Sequence, residues 1–329
     1  MLNRDAKLVE NIFAHDIAQA ATRDGFGKGV VEAGKNDANI VVLCADLKES
    51  TRAEEFEKVF PERFIEMGVA EAAMATVAAG MAEAGKISFI ASYAAFNPGR
   101  NYEQIRTTIA LNEMPVKIMG MHAGVSVGPD GATHQMLEDL ALMRVLPNMV
   151  VLNPGDAEEA RKAVVWSAKH VGPVYIRFGR AATPLFTTTD SPFLMGKALG
   201  LWRSEKPRIA LLSTGALSYT ALLAARSLDA DGIGSIVLHN PSVKPLDEVA
   251  IIAAAGAAGL VVTIEEHQIA AGFGSAVAEL LSEKHPVPIT RLGINDQFGQ
   301  SGTPAELLEH YKLSPAAIAE RARQMLAAR

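Results

Sequence analysis

The sequence predicts an α/β fold of two domains, each built on a mostly parallel sheet with helices on both faces. Three observations predict this fold. Short runs of aliphatic residues alternate with helical patterns, this alternation restarts after about residue 190, and 329 residues suffice for two domains of ordinary size. A hydrophobic content of 49% leaves enough apolar side chains for two cores.

In the first half of the chain, five aliphatic runs are separated by helical patterns. The predicted strands are residues 40–44, 87–90, 116–120, 150–152 and 174–177, and the predicted helices are 68–84, 101–111 and 156–169. Because a helix that connects two strands allows them to run parallel, these elements predict one parallel sheet.

A polar stretch with prolines, residues 183–192, is typical of a linker. The alternation then restarts, with predicted strands 209–213, 235–238, 260–264 and 289–292 and predicted helices 218–228, 274–282 and 315–326. We therefore expect a boundary near residue 190, between a first domain of residues 1–190 and a second of residues 191–329.

Composition argues against several classes of function. A net charge of −6 with mixed signs does not favour nucleic-acid binding. The longest apolar run, residues 249–264, is too short to span a bilayer, and the charged N-terminus lacks a secretory apolar core. The single cysteine, Cys44, lies in an apolar run, which indicates a strand core residue rather than a nucleophile. A cytoplasmic location is expected.

Glu71 is an acidic residue in an apolar setting. It stands in an alanine-rich helical pattern, in which Met67, Met74 and Ala78 project to within about 60° of it. A buried carboxylate is costly unless it is paired or protonated. The sequence therefore predicts a buried acid with a specific task.

A nucleotide-binding loop is absent from the sequence. Gly25, Gly27 and Gly29 lack the spacing of the dinucleotide-binding fingerprint, Gly272 and Gly274 lack its third glycine, and no P-loop is present. The chain therefore has no recognisable loop of its own that cradles phosphates.

The densest polar segment is residues 120–135, which follows a predicted strand. It carries His122, Asp130 and His134 among glycines that allow tight folding. Ligand sites of open α/β sheets lie on such loops, so this segment is predicted to contact a small polar substrate. Taken singly, His122 and Asp130 are also explained by structural and turn roles. The spacing matches no metal-ligand pattern, and no metal site is predicted.

A second candidate run is residues 89–96, which leaves a predicted strand and enters a loop. It carries Phe89, Tyr93 and Phe96 at close spacing. Such a run is by itself more often core packing than part of a cofactor site, so the run alone does not assign a function.

Taken together, these runs resemble the transketolase family of thiamine-diphosphate enzymes, over its pyrimidine-binding domain and its C-terminal domain. The resemblance implies that Glu71 hydrogen-bonds the aminopyrimidine ring of the cofactor and favours the imino tautomer that generates the reactive ylid. A carboxyl with a raised pKa would suit that role. The resemblance also implies that Tyr93 and Phe96, and less clearly Phe89, surround the pyrimidine, and that Asp46 lies beside the cofactor.

The same resemblance implies a sugar-phosphate site. Arg23, Ser50 and Arg180 match the family positions that hold the phosphate, and an arginine pair suits a phosphate dianion. A surface position for either arginine and helix capping by Ser50 are the simpler alternatives; capping is also the alternative for Asp46.

Three residues of the segment 120–135 complete the implied substrate set. His122 would contact the donor and acceptor sugars, Asp130 would bind a sugar hydroxyl, and His134 would assist proton transfer at the substrate hydroxyl or carbonyl. The implied reaction transfers a two-carbon ketol unit from a ketose phosphate to an aldose phosphate.

One family motif is missing from the sequence. The diphosphate- and magnesium-binding motif, Gly-Asp-Gly followed some 25–30 residues later by Asn, has its nearest match at residues 155–157, which fails at the third position. The resemblance therefore implies the C-terminal subunit of a split transketolase, with the diphosphate site and the Mg²⁺ ligands on a separate N-terminal chain. Two copies of each chain would form an α2β2 heterotetramer.

Three alternatives stay open. The β subunit of a 2-oxo acid dehydrogenase first component has the same pair of domains, but the sugar-phosphate residues argue against it. A split 1-deoxyxylulose-5-phosphate synthase is favoured by residues 89–96, whereas His122 favours transketolase. A scaffolding relic without turnover has no reason to keep all the matching polar residues. The second domain is expected to stabilise the assembly, with His267 in a structural role.

Overall fold

The computed structural model describes residues 1–328 and confirms the two-part α/β architecture. The first part, residues 19–184, contains the strands β1 (Gln19–Ala21), β2 (Ile40–Cys44), β3 (Phe64–Glu66), β4 (Ile87–Tyr93), β5 (Lys117–Met121), β6 (Val150–Leu152), β7 (Val174–Arg177) and β8 (Ala182–Pro184). Its helices are α1 (Thr22–Asn36), α2 (Lys48–Thr51), α3 (Glu54–Val59), α4 (Glu71–Glu83), α5 (Tyr102–Gln104), α6 (Asp139–Arg144) and α7 (Ala157–Lys169).

The second part, residues 199–327, repeats the alternation of strands and helices. Its strands are β9 (Leu199–Arg203), β10 (Ile209–Ser213), β11 (Ser235–His239), β12 (Ser242–Lys244), β13 (Val261–Gln268) and β14 (Ile289–Ile294). Its helices are α8 (Leu217–Ala230), α9 (Glu248–Ala258), α10 (Phe273–Lys284), α11 (Pro304–His310) and α12 (Pro315–Ala327). None of the helices within residues 1–328 has both the length and the apolar character needed to cross a bilayer.

The larger sheet has seven strands in the order β12-β6-β7-β5-β4-β2-β3, all parallel except the edge strand β12. Both of its faces are covered, as the alternation along β2 demonstrates. Val41 and Leu43 pack with α4 on one face, whereas Val42 and Cys44 pack with α1 and α7 on the other. A strand buried on both faces reads as a continuous apolar run, which is why β2 was predictable.

The smaller sheet has the order β14-β13-β10-β11-β9, with only β9 antiparallel. Leu211 of β10 packs toward α8 and α12, and Leu212 packs toward α9 and α10. The two parts are joined by polar contacts. Nε2 of His239 in β11 lies 2.7 Å from a carboxylate oxygen of Glu159 in α7, and a guanidinium nitrogen of Arg177 donates to the carbonyl of Glu266 at 2.7 Å. The boundary near residue 190 stays a prediction.

Three predicted elements differ from the structure. The predicted helix 101–111 is instead the short α5 followed by a π-helical segment, Ile105–Ala110, in which the hydroxyls of Thr107 and Thr108 donate to carbonyls four residues earlier. The predicted helix 68–84 begins only at Glu71, because Gly68 adopts a φ of +65°. The predicted linker 183–192 starts inside β8, which pairs with the unpredicted β1.

Candidate functional site

Several predicted site residues meet at one edge of the larger sheet. The strands β7, β5, β4 and β2 are adjacent and parallel, so their carboxyl ends lie side by side. Asp46 follows β2, Tyr93 ends β4, His122 follows β5, and Arg180 lies three residues beyond β7. This edge is where an open parallel sheet places its ligands.

The N-terminus of α1 brings Arg23 to the same edge. The amide of Gly179 donates to the hydroxyl of Thr22 at 2.7 Å, which ties the start of α1 to the loop after β7. Gly25 allows α1 to approach α7 closely, since a Cβ there would lie 2.2 Å from the carbonyl oxygen of Ala157. Arg23 and Arg180 are thus held on neighbouring segments.

Arg23 and His122 form the centre of the site. Nη1 of Arg23 lies 3.1 Å from Nε2 of His122 and donates to the carbonyl of Ser50 at 2.8 Å. A guanidinium cannot accept a hydrogen bond, so Nε2 is the acceptor, and a neutral His122 carries its proton on Nδ1. Burial and the charges of Arg23 and Arg180 lower the pKa of His122 to about 3, so the ring is neutral at physiological pH.

Two polar atoms at this centre are buried without a partner among the described residues. They are Nδ1 of His122 and Nε of Arg23. Buried donors normally have acceptors, and each unpaired one costs about 1–3 kcal/mol. His122 also adopts a φ of +54°, an uncommon backbone conformation for a residue with a side chain. These features indicate a site built for a ligand that accepts hydrogen bonds.

Positive charge accumulates around this centre. Burial lowers the pKa of Arg23, and the charges of Arg52 and Arg180 lower it further, while Asp24 opposes them. Nε of Arg52 donates to Asp24 at 2.7 Å, and Nη1 of Arg180 donates to the carbonyl of Val127 at 2.9 Å. The positive charges of three guanidinium groups here exceed the negative charge of the one carboxylate, so a bound anion would be stabilised.

Aromatic and imidazole rings line one side of the site. The rings of Tyr93 and Phe96 stack with centroids 5.9 Å apart. The ring of His122 lies 4.0 Å from that of Tyr93, and the ring of His134 lies 6.0 Å from Tyr93 and 5.6 Å from Phe96. The segment 120–135 and the run 89–96 therefore form one wall.

The loop that carries Asp130 and His134 is fixed by the second part of the chain. Nε2 of Gln135 donates to the carbonyls of Val125, Gly128 and Gln300, and the carboxylate of Glu266 accepts from the amide of Ser126. Nδ1 of His134 lies 2.9 Å from the hydroxyl of Thr133. Asp130 is exposed on this loop.

Glu71 is buried at the first turn of α4, with 1% of its side chain exposed. The structure supplies a partner that the sequence analysis missed: Nη1 of Arg100 donates to one carboxylate oxygen at 2.7 Å. The hydroxyl of Ser92 donates to the other at 3.4 Å. The guanidinium of Arg100 also lies 4.4 Å over the ring of Phe96. A buried carboxylate is costly unless it is paired or protonated, and this cost is the signal that could have led to a search for a cation near Glu71.

Two of the predicted cofactor residues have their described contacts outside this wall. Phe89 is fully buried in the core between the sheet, α1 and α7, because it stands four residues before the end of β4; its place beside the pyrimidine stays a prediction. Asp46 is exposed in a left-handed conformation, and its amide donates to Glu66 at 2.8 Å. The carbonyl of Ser50, rather than its hydroxyl, contacts Arg23.

Two further residues behave as structural groups. Burial raises the pKa of Cys44 to about 11, so its thiol is not ionised at neutral pH. His267 is fully buried, its Nδ1 lies 2.7 Å from the carbonyl of Gln268, and burial lowers its pKa to about 4. Among residues 1–328, no group of three or more His, Cys, Asp or Glu side chains is placed to hold a metal ion.

Each half of the chain matches a domain of known proteins. Residues 18–184 match the transketolase pyrimidine-binding domain, and residues 198–318 match the transketolase C-terminal domain. A protein of Methanocaldococcus jannaschii named "Putative transketolase C-terminal section" is 41% identical over 91% of this chain and 94% of its own length.

Two further proteins cover nearly the whole chain. The 6-deoxy-6-sulfo-D-fructose transketolase subunit SqwH of a Clostridium species is 38% identical over 92% of this chain and 94% of its own length. A solved split-gene transketolase, described as an inactive beta4 tetramer, is 44% identical, with a TM-score of 0.86 over 93% of this chain and 98% of that one.

Proposed function

The chain belongs to the transketolase family, and from that premise we propose that it is the C-terminal subunit of a split transketolase that acts with thiamine diphosphate. The proposed reaction moves a two-carbon ketol unit from a ketose phosphate to an aldose phosphate. A separate N-terminal chain completes the active site.

The observation that carries the proposal is the convergence of Arg23, His122 and Arg180 at the carboxyl edge of the sheet. Two buried donors there, Nδ1 of His122 and Nε of Arg23, have no partner among the described residues. A sugar phosphate supplies what they lack, since its phosphate dianion pairs with guanidinium groups and its hydroxyls accept from an imidazole N–H. We assign the phosphate to Arg23 and Arg180, with Ser50 beside them.

The wall next to this centre fits the pyrimidine end of thiamine diphosphate. Glu71 offers a carboxyl group, and Tyr93 and Phe96 offer aromatic faces for a flat ring. When bound, thiamine diphosphate supplies a carbanion at its thiazolium carbon, which carbon–carbon cleavage next to a ketose carbonyl requires. In the proposal Glu71 holds a proton for a ring nitrogen, and Asp46 lies beside the cofactor.

The remaining polar residues contact the sugar part of the substrate. Nδ1–H of His122 donates to a substrate hydroxyl, and Asp130 accepts from another. Thr133 engages Nδ1 of His134, so Nε2 of His134 is the nitrogen that moves a proton at the substrate hydroxyl or carbonyl. The anchoring of this loop by Gln135 and Glu266 keeps these groups in place without further ordering.

A partner chain is required because the sequence of this chain lacks the family's diphosphate motif. We place the diphosphate site and the Mg²⁺ ligands on an N-terminal transketolase subunit. The exposed face of α4 is the proposed contact: Val69 and Val77 are exposed on or beside it, and a Cβ on Gly80 would meet nothing within 4 Å. Such an open face of small residues allows close helix packing, and two copies of each chain would give an α2β2 tetramer.

The physiological sugars define the pathway. If xylulose 5-phosphate and ribose 5-phosphate are substrates, the enzyme belongs to the pentose phosphate pathway of the cytoplasm. The Clostridium relative is named for a sulfonated sugar, so other anionic ketoses belong in the assay. The arginine centre accommodates either anion, because guanidinium groups bind sulfonate as well as phosphate oxygens.

The test is an activity assay on a complex purified from the native host with a tagged copy of this chain. Thiamine diphosphate, Mg²⁺, xylulose 5-phosphate and ribose 5-phosphate are added, and sedoheptulose 7-phosphate is measured. We expect product only when a second chain copurifies. Product from pyruvate and glyceraldehyde 3-phosphate instead would identify a 1-deoxyxylulose-5-phosphate synthase, and no product from any sugar would overturn the proposal.

A further inference from the structure

Arg100 lies between the two groups that the proposed pyrimidine site requires. Nη1 of Arg100 donates to the carboxylate of Glu71 at 2.7 Å, while the guanidinium carbon lies 4.4 Å over the ring of Phe96. An aminopyrimidine is likewise a flat, nitrogen-bearing group that can face a carboxylate and stack on an aromatic ring. The guanidinium therefore makes, within this chain, the two kinds of contact proposed for the cofactor ring.

We propose that Arg100 is a placeholder for the aminopyrimidine ring and that its side chain must leave Glu71 when thiamine diphosphate binds. Arg100 is then the residue of this chain that limits cofactor affinity. The inference rests on the proposed function, because it assumes that Glu71 and Phe96 hold the cofactor ring.

The surroundings allow the side chain to leave while the backbone stays. The side chain of Arg100 is 48% exposed, whereas that of Glu71 is 1% exposed, so only the arginine has solvent to move into. Nδ2 of the neighbouring Asn101 donates to the carbonyl of Glu71 at 3.1 Å, and Nδ2 of Asn97 donates to the carbonyls of Ile90 and Met119 at 3.3 Å. These bonds fix the loop that carries Arg100.

Before the cofactor binds, the buried carboxylate of Glu71 needs a positively charged partner, and Arg100 provides it. A buried carboxylate without a cation is costly, and the pair with Arg100 lowers that cost in the cofactor-free chain. The same pair then competes with the cofactor, because one carboxylate oxygen and one aromatic face cannot serve two flat groups at once. Removing Arg100 should therefore destabilise the cofactor-free chain and strengthen cofactor binding.

The binding experiment uses the assembled complex with its N-terminal partner and measures the Kd of thiamine diphosphate, at fixed Mg²⁺, by fluorescence titration. For Arg100→Met we expect the Kd to fall by roughly two- to fivefold, the scale of a half-exposed ion pair. Arg100→Lys keeps a cation for Glu71 but loses the planar group, and its Kd should lie between the two. Arg226→Met is the matched control: Arg226 lies on α8, where its guanidinium is 4.5 Å over the ring of Phe13, and the Kd of this variant should equal that of the wild type.

A second measurement needs neither partner nor cofactor. The urea midpoint of the isolated chain is compared for the wild type, Arg100→Met, Glu71→Gln and the double variant. We expect Arg100→Met to lower the midpoint in the wild-type background and to lower it much less when Glu71→Gln is present. Equal losses in both backgrounds would mean that the two side chains are not coupled, which overturns the inference.

The outcomes separate this inference from the proposed function. If the wild-type complex binds thiamine diphosphate and Arg100→Met binds it equally or more weakly, Arg100 is not a placeholder and the proposed function stands. If the wild-type complex does not bind thiamine diphosphate, the proposed function fails and the placeholder fails with it. Tighter binding by Arg100→Met, together with coupled unfolding, supports both.

Discussion

Nη1 of Arg23 lies 3.1 Å from Nε2 of His122, and this contact fixes the state of the imidazole. Because the guanidinium can only donate, the ring accepts at Nε2 and carries its proton at Nδ1, a buried atom without a partner among the described residues. An arginine that would bind the substrate phosphate thus also orients the histidine that would bind a substrate hydroxyl.

The state of His122 can be measured directly. Burial and the neighbouring arginines lower its pKa to about 3, so we predict a neutral ring protonated on Nδ1 from pH 5 to pH 8. Imidazole ¹⁵N chemical shifts of the isolated chain, assigned with His122→Gln, test this. An imidazolium signal at pH 6, or a proton on Nε2, would contradict it. Arg23→Met should remove the preference for one tautomer.

The phosphate assignment predicts a selective kinetic effect. Arg23→Met or Arg180→Met should raise KM for phosphorylated sugars about 10- to 100-fold, because each change removes a charge-assisted hydrogen bond worth about 1.5–3 kcal/mol. KM for an unphosphorylated ketose should change far less. The exposed Arg226, replaced by Met, serves as the control. An equal rise for both classes of sugar would remove these arginines from the phosphate site.

The proposed partner contact can be tested at Gly80. This glycine lies exposed on α4 with open space around its missing Cβ, so Gly80→Arg should fold with unchanged or slightly raised stability. If α4 faces the N-terminal chain, the bulky side chain should prevent the heteromeric complex from forming, as seen by light scattering. Val171→Arg, at a side chain 87% exposed beyond α7, is the control and should assemble normally. Normal assembly of Gly80→Arg would place the interface elsewhere.

Lys117 should make stability depend on pH in the alkaline range. Burial lowers its pKa to about 7, below the 10.5 of an exposed lysine, although its ammonium nitrogen lies 2.7 Å from the carbonyls of His170 and Gly172. Burial of the charged Lys117 side chain lowers the stability of the fold. This loss is fully present below pH 7 and disappears as the pH rises toward 10.5.

Between pH 7 and pH 10, the free energy of unfolding of the wild type should therefore rise by about 3 kcal/mol relative to Lys117→Met. Urea denaturation of the two chains at several pH values measures this difference. The exposed Lys206, replaced by Met, provides the comparison. A constant difference between wild type and Lys117→Met across this range would show that Lys117 stays charged in the folded chain.

Elements whose fold depends on local pattern were predictable from the sequence. The strand β2 is apolar at every position because both faces of the sheet are covered, and it was predicted with its bounds. The three-residue strands β1 and β8 were not predicted, because their pairing joins residues more than 160 positions apart and leaves no local period. The π-helical segment Ile105–Ala110 was read as an ordinary helix for a similar reason, since the apolar spacing does not reveal the extra residue in the turn.

The candidate site was partly predictable, because the ends of parallel strands can be located approximately from local sequence patterns. Tyr93, His122 and Arg180 follow strands, and adjacency of parallel strands brought them to one edge. Phe89 lies in the core because it stands four residues before the end of β4, and the sequence alone does not locate that end. Arg100 was not predicted because its contact with Glu71 joins a loop to a helix 29 residues away, and the sequence leaves open whether a buried acid is paired or protonated.

The most direct test of the proposed composite site is the exchange of the thiazolium C2 proton of bound thiamine diphosphate with D2O. It is measured by quenched-flow NMR on the assembled complex with wild-type chain and with Glu71→Gln. If this chain supplies the acid that serves the pyrimidine ring, exchange should slow by about 10²- to 10⁴-fold in the variant while the tetramer stays intact. Equal exchange rates in the two complexes would contradict the central claim that Glu71 of this chain activates the cofactor.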